Sequence, residues 1–375
     1  MKITACVPAL ALLLAAPAFA APGGPGTLLD ATPEAGAPLG ASAYRVQYAS
    51  LDAHGKPIVV SGLVIIPKGK APRGGREMVG WAHGSFGIAE KCAPLEGAQQ
   101  FANIAGLDAM LKRGMIVAAT DYQGLGNPGP HPYLVGNASA RAVIDAVRAA
   151  QAVPGAQAGK RYAVWGESQG AHAALWTGKI AKTYAPELTL VGIAAAAPPT
   201  DLKTNLTGGT NATVRALLTA YTAESWSKVY DAPLSALGKP ATQRLIGRLA
   251  NNNCVTLDGF RLRTKIGLLA LTAQLKGVDI SQPPAWKALI VRNSITPARL
   301  TMPLLIAQED NDPVVGASVT HKFARQLCRA GAKLHYIKLT GGDHVGVGKR
   351  SAPKAVAWMA ERFAGDAAPS DCGKI

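Results

Sequence analysis

Tyr162-Ala163-Val164-Trp165-Gly166-Glu167-Ser168-Gln169-Gly170-Ala171-His172-Ala173 is the stretch that decides how this chain is read. Its first four residues are an apolar strand run, and the alanines after Gly170 open a helical one. Between them lies the pentapeptide G-x-S-x-G. Out of context that pattern arises by chance, but between a strand and a helix it describes a tight turn with the serine at its apex. The glycines have a steric reason, since a side chain at either flanking position would collide with the neighbouring strand or helix. The helix start behind the serine aims backbone N–H groups at negative charge developing there. Ser168 is therefore the candidate nucleophile.

Working outward, apolar β-branched runs recur with helical stretches between them. Tyr44–Tyr48 and Ile58–Ile66 form an expected antiparallel pair turning around His54-Gly55. Met78–Ala82, Met115–Asp121, Tyr162–Trp165, Leu188–Ala195, Met302–Ala307 and Lys333–Leu339 follow. Helices are expected over Ala138–Val153, Ala171–Tyr184, Ser318–Ala330 and Ala352–Phe363. An antiparallel start followed by strand–helix alternation is the order of the α/β-hydrolase fold, here with an eight-stranded, mostly parallel sheet. Residues 200–298 break the alternation, offering amphipathic helical segments such as Val214–Tyr221 and Pro240–Leu249 and no convincing strand. They read as a helical cap inserted between two parts of the core, 21–199 and 299–375.

A serine needs a base to take its proton. Of the seven histidines, His54 falls in a hairpin turn and His83 ends a strand. His131 lies in a Pro-rich loop, His172 and His321 on helices, and His335 within a strand. His344 remains, in the glycine loop Gly341–Gly346 after the last strand. The orienting acid should lie between Ser168 and His344 in the chain. Asp312 is best placed, past the end of the strand Met302–Ala307, with Asp310 and Glu309 as alternatives. Two aimed donors are needed for an oxyanion. The backbone N–H of Gln169 is one, and the loop His83-Gly84-Ser85-Phe86-Gly87 offers Ser85 or, alternatively, Phe86 as the other.

The first twenty residues read as an export signal. Lys2 precedes an apolar run, and Ala18-Phe19-Ala20 has the small-x-small form of a cleavage site. The run is too short to span a membrane, and no integral membrane span is expected in the rest of the chain. Four cysteines follow the signal, Cys92, Cys254, Cys328 and Cys372, an even number that reads as two disulfides in an exported chain. Their spacings match no zinc motif. The chain carries a net charge of +16, but dispersed, with no run of five like charges. Dispersed charge points to a solubilising surface rather than to a nucleic-acid partner.

Trp81-Ala82-His83-Gly84-Ser85-Phe86-Gly87 with Cys92-Ala93-Pro94 resembles the secretory lipase family. So does the loop Asp121-Tyr122-Gln123-Gly124-Leu125-Gly126-Asn127-Pro128-Gly129-Pro130-His131-Pro132-Tyr133, and the elbow, Asp312 and His344 fall in that family's order. The likeness spans roughly residues 40–365. One departure is Ser85, where the family often has threonine. The resemblance implies a carboxylic-ester hydrolase, esterase or lipase, with a helical cap and no cofactor. Its substrates would be small-molecule, lipid or polymeric esters. It also implies the pairings Cys92–Cys254, joining core to cap, and Cys328–Cys372, pinning the C-terminal tail. Leucine-rich stretches at Leu245–Ala250 and Leu268–Leu275 are expected to wall an acyl pocket. The rival is a serine peptidase on the same fold, whose ammonium-binding acid would come from Asp231, Asp258 or Asp279.

Overall fold

The structure is a computed structural model that describes residues 23–208, 211–255 and 262–375. The expected signal, residues 1–20, and Asp258 lie outside the described residues.

One mixed sheet organises the chain. Its strands are β1 (Leu28–Pro33), β2 (Ala41–Leu51), β3 (Pro57–Pro67), β4 (Arg76–Ala82), β5 (Ile116–Thr120), β6 (Ala158–Glu167), β7 (Thr189–Ala196), β8 (Leu304–Glu309) and β9 (Leu334–Leu339). They lie in the order β1-β2-β3-β5-β4-β6-β7-β8-β9. The first three and β5 pair antiparallel, and everything from β5 onward is parallel. All eight strands expected from the sequence are present. The ninth, β1, is a correction: its six residues sit at the sheet edge, half exposed and ending in Pro33, so they carry no buried alternation to announce them.

Helices cover both faces. On one side lie α2 (Gly136–Ala150), α3 (Gln169–Tyr184) and α9 (Ala317–Arg329); on the other lie α1 (Leu107–Lys112) and α10 (Val347–Ala364). Strands buried on both faces explain the near-continuous apolar runs of β4 to β8. In β5 all five residues are buried. The helix α2 lies close over β4 at Gly80, where an added Cβ would stand 3.0 Å from Val143 Cγ1.

Between β7 and β8 run α4 (Leu202–Thr207), α5 (Ala212–Tyr230), α6 (Pro240–Asn252), α7 (Leu262–Gln274) and α8 (Pro284–Asn293). Together with Ile88, Tyr133, Leu134, Val135 and Ala138 they form a third apolar cluster. At its centre Trp226 and Trp286 stack with centroids 6.1 Å apart, a pairing worth about 0.5–1.5 kcal/mol beyond burial. This corrects the expected acyl wall: Leu245, Ile246, Leu249, Leu268 and Leu271 are buried in that cluster. Their helical spacing reports the packing of α6 and α7 on α5. Leu269 and Leu275 line a groove of about 590 Å³ that Ser168, Ser85, Gln169 and His344 do not border.

Two disulfides join distant parts of the chain, Cys92 to Cys254 and Cys328 to Cys372. The first ties the segment after β4 to the end of α6. The second ties α9 to the C-terminal tail, where Asp371 also accepts from the Tyr336 amide (2.9 Å).

Candidate active site

Parallel strands direct their C-terminal ends to one edge of the sheet, and in such folds ligands bind beyond those ends. β6 ends at Glu167, and the next residue, Ser168, has φ +53° and ψ −118° before α3 begins. A non-glycine residue at positive φ is strained, by an amount of order 1–3 kcal/mol, and persists only where its surroundings hold it. The Ser168 amide donates to the Ala196 carbonyl at 2.8 Å. The flanking glycines leave no choice of residue. A Cβ on Gly166 would meet the Gly170 carbonyl oxygen at 2.3 Å, and one on Gly170 the Ala82 oxygen at 1.9 Å.

His344 lies in the loop between β9 and α10. Its Nε2 is 2.8 Å from Ser168 Oγ, and its Nδ1 is 2.7 Å from Asp312 Oδ2. An ionised carboxylate only accepts, so Nδ1 carries the proton and Nε2 is left to accept from the serine hydroxyl. Asp312 is itself held: Oδ1 accepts from the amides of Val314 and Val315, both at 2.8 Å, and Oδ2 also accepts from Gln308 Nε2 at 3.2 Å. The alternatives are engaged elsewhere. Glu309 pairs with Arg350, Asp310 with Lys338 at 3.1 Å, and Asp343 accepts from the Gly346 amide at 3.3 Å.

The two oxyanion candidates lie beside this relay. Gln169 is buried, and its side-chain Nε2 donates to His131 Nε2 at 2.8 Å, while His131 Nδ1 donates to the Gln123 carbonyl at 2.9 Å. Burial pushes the His131 imidazole down to about 3, so it is neutral and its tautomer is set by these two partners. The Ser85 hydroxyl shares a 2.8 Å hydrogen bond with Tyr133 OH. Beneath that loop His83 is also buried and neutral, pushed down to about 4, with Nδ1 2.6 Å from the Gly84 carbonyl. Phe86, the other candidate donor, accepts through its carbonyl from the Val255 amide at 2.8 Å.

Sequence reasoning brought together Ser168, His344, Asp312, Gln169 and Ser85, and missed Tyr133, His131 and the Val255 contact. Tyr133 and His131 both stand in the loop Asp121–Tyr133, but nothing in their spacing says that they touch Ser85 and Gln169. The same loop is gripped by the helical insertion. Ser225 Oγ accepts from the Tyr133 amide (2.9 Å) and donates to the His131 carbonyl (2.6 Å), and Trp226 Nε1 donates to the Tyr133 carbonyl (2.9 Å).

A sequence model of a family described as secretory lipase matches residues 90–371. The trichothecene C-3 esterase of Fusarium sporotrichioides is 26% identical over 370 residues, covering 90% of this chain and 80% of that protein. A Mycobacterium tuberculosis protein named a probable inactive lipase is 24% identical, covering 88% and 75%. Among solved structures, Candida antarctica lipase A superposes with a TM-score of 0.77 at 17% identity, covering 95% of this chain and 86% of that one. The rice cell wall degrading esterase LipA from Xanthomonas oryzae gives 0.74 at 18%, covering 92% and 100%. Likeness at such identity carries the fold alone. Since one relative is named inactive, the chemistry has to be argued from the side chains that this chain itself brings together.

Proposed function

The chain belongs to the secretory lipase family, and from that premise we propose that it is an exported serine hydrolase of carboxylic esters. Ser168 is the nucleophile, His344 the general base and Asp312 the acid that orients it. The observation carrying this reading is the unbroken relay from Ser168 Oγ through His344 to Asp312, with links of 2.8 and 2.7 Å, built on a strained serine at a helix start.

Ser168 Oγ bonds to the ester carbonyl carbon as its proton passes to His344 Nε2. The oxyanion is held by the backbone N–H groups of Gln169 and Ser85, where losing one donor typically costs on the order of 10²–10³ in rate. The C–O bond to the alcohol then breaks, and His344 returns the proton to the departing oxygen. Water, deprotonated by the same imidazole, releases the acid and regenerates Ser168. Asp312 keeps the Nδ1 proton in place and stabilises the imidazolium without taking the proton. The sequence demands no cofactor. Substrates are small, lipid or polymeric esters.

A peptidase on this fold would need an acidic residue free to bind an ammonium. Asp279 instead accepts from Ser281 Oγ at 2.7 Å and Gln282 Nε2 at 2.9 Å, and Asp231 is exposed at the C-terminal end of α5. Export accords with the residue 1–20 signal expectation and with two disulfides, bonds that persist in oxidising compartments. Among the described residues no helix is long and apolar enough to cross a membrane.

The test is hydrolysis of p-nitrophenyl esters from acetate to palmitate beside proline and leucine p-nitroanilides, with Ser168→Ala as control. Ester cleavage abolished by Ser168→Ala is expected. Cleavage of the anilides alone would replace the ester reading with the peptidase one. A wild type that turns over neither and fails to react with a fluorophosphonate would make the chain a binding protein.

A further inference from the structure

Glu167 precedes Ser168, and its side chain turns into a slot walled by two glycines. A Cβ added to Gly348 would stand 1.5 Å from Glu167 Oε2, and one added to Gly84 3.6 Å from its Cγ. Gly348 lies in the first turn of α10 with no left-handed φ to call for glycine. Glycine inside a helix costs roughly 0.5–1 kcal/mol relative to alanine. The residue is there because the Glu167 carboxyl occupies the space a methyl would need.

The two walls belong to the two loops on which the chemistry depends. Gly84 precedes Ser85, and Gly348 follows His344 by four residues. Glu167 thus bridges the oxyanion loop and the loop of the base, from the residue next to the nucleophile. Its carboxylate accepts no hydrogen bond from the described residues. The charged groups acting on it are His344 and, from α10, Lys349. On the other side, the titratable residue next to Gly84 is His83, which is neutral. Asp312 reaches the same imidazole through its Nδ1.

Resting on the proposed Ser168–His344 chemistry, we infer that Glu167 is a second positioning carboxylate. It seats the His344 loop against the oxyanion loop, and its negative charge makes His344 a stronger base and stabilises the imidazolium. The proton moves only between Ser168 Oγ, His344 Nε2 and the leaving oxygen, so Glu167 acts through space. Burial pushes its own carboxyl up to about 7, while His344 and Lys349 pull the other way. Its charge is therefore about half developed at pH 7 and completes as pH rises above it.

An anion beside an imidazole favours the charged form and raises its pKa. Glu167→Gln keeps the slot filled and removes the charge. Because the carboxyl is mostly protonated below about pH 7, the acidic limb of the kcat/KM profile should move to lower pH by at most about half a unit, and kcat on the alkaline plateau, where the charge is complete, should fall roughly three- to tenfold. KM should hold, and the thermal midpoint should not fall, since the buried carboxyl costs stability once it ionises. NMR titration of His344 in the resting protein should show the same downward shift, whether or not a given ester is a substrate. If Glu167→Gln does not fold, Gly348→Ala, which expels the carboxyl from the slot, is read in the same two ways. A profile and a His344 titration that superpose on wild type would overturn the inference and leave Glu167 as filling. Loss of ester hydrolysis in Ser168→Ala is a separate result, so failure of the functional reading is distinguishable from failure of this one.

Discussion

The hydroxyl of Tyr133 lies 2.8 Å from that of Ser85, and it links the helical insertion to the loop proposed to hold the oxyanion. Tyr133 is buried against Tyr221 of α5, with ring centroids 5.8 Å apart. Its backbone is gripped from both sides by Ser225 and Trp226 of the same helix. Helix, tyrosine and serine are therefore joined in one continuous set of contacts.

Tyr133→Phe removes the hydroxyl and keeps the ring in its pocket. Stability should fall by only about 1 kcal/mol, the net worth of one buried hydrogen bond. If Ser85 donates to the oxyanion, its loosened loop should lower kcat by roughly tenfold with little change in KM, since the loss is felt in the transition state. Steady-state kinetics on one short-chain ester with a urea titration read both effects. A kcat equal to wild type would show that the Ser85 backbone does not depend on this hydroxyl pair for its placement.

The disulfide Cys92–Cys254 braces the other end of the same loop. Beside it the Val255 amide donates to the Phe86 carbonyl at 2.8 Å, and a Cβ on Gly87 would meet Cys92 Sγ at 2.7 Å. The two disulfides span 162 and 44 residues. Chain-entropy arguments assign them about 5 and about 4 kcal/mol of stability, nearly alike. Replacing either pair by alanine should therefore lower the unfolding midpoint comparably. Only Cys92→Ala/Cys254→Ala should also lower kcat, by severalfold or more at a temperature where both variants remain folded. Equal kcat losses in the two double variants would mean that the loop is braced by something else.

Legibility in the sequence followed where a backbone constraint forces a residue type. Gly166 and Gly170 are glycines because a Cβ at either would overlap a carbonyl oxygen, and that constraint is written in the pentapeptide itself. Elimination among the seven histidines gave His344, and chain order with loop position selected Asp312 over Asp310 and Glu309, whose engagement with Lys338 and Arg350 is tertiary. The leucines of α6 and α7 misled, because a stripe that packs on a neighbouring helix and a stripe that lines a pocket have the same spacing. Tyr133, His131 and Glu167 escaped for a related reason. Their roles come from contacts between loops far apart in the chain, and no local period records them.

Buried titratable groups pull the pH dependence of stability in opposite directions. His83, His131 and His172 are pushed by burial down to about 4, 3 and 4, against about 6.5 in the unfolded chain. Between those values the unfolded chain binds more protons, so their contribution is full above pH 6.5 and is lost on acidification. Asp145 goes the other way. Burial raises its carboxyl to about 6 against the hydrogen bonds from Ser50, Tyr184 and Arg148, and the folded state then binds the extra proton. Its contribution is full below pH 4 and is lost as pH rises through 6. Asp145→Asn should therefore steepen the loss of stability between pH 7 and 4.5. His172→Gln, with the side-chain amide donating where Nε2 meets the Asn293 carbonyl at 2.7 Å, should flatten it. Urea midpoints at pH 4.5, 5.5 and 7 decide the matter: parallel slopes in wild type and both variants would show that neither group is held neutral by the fold.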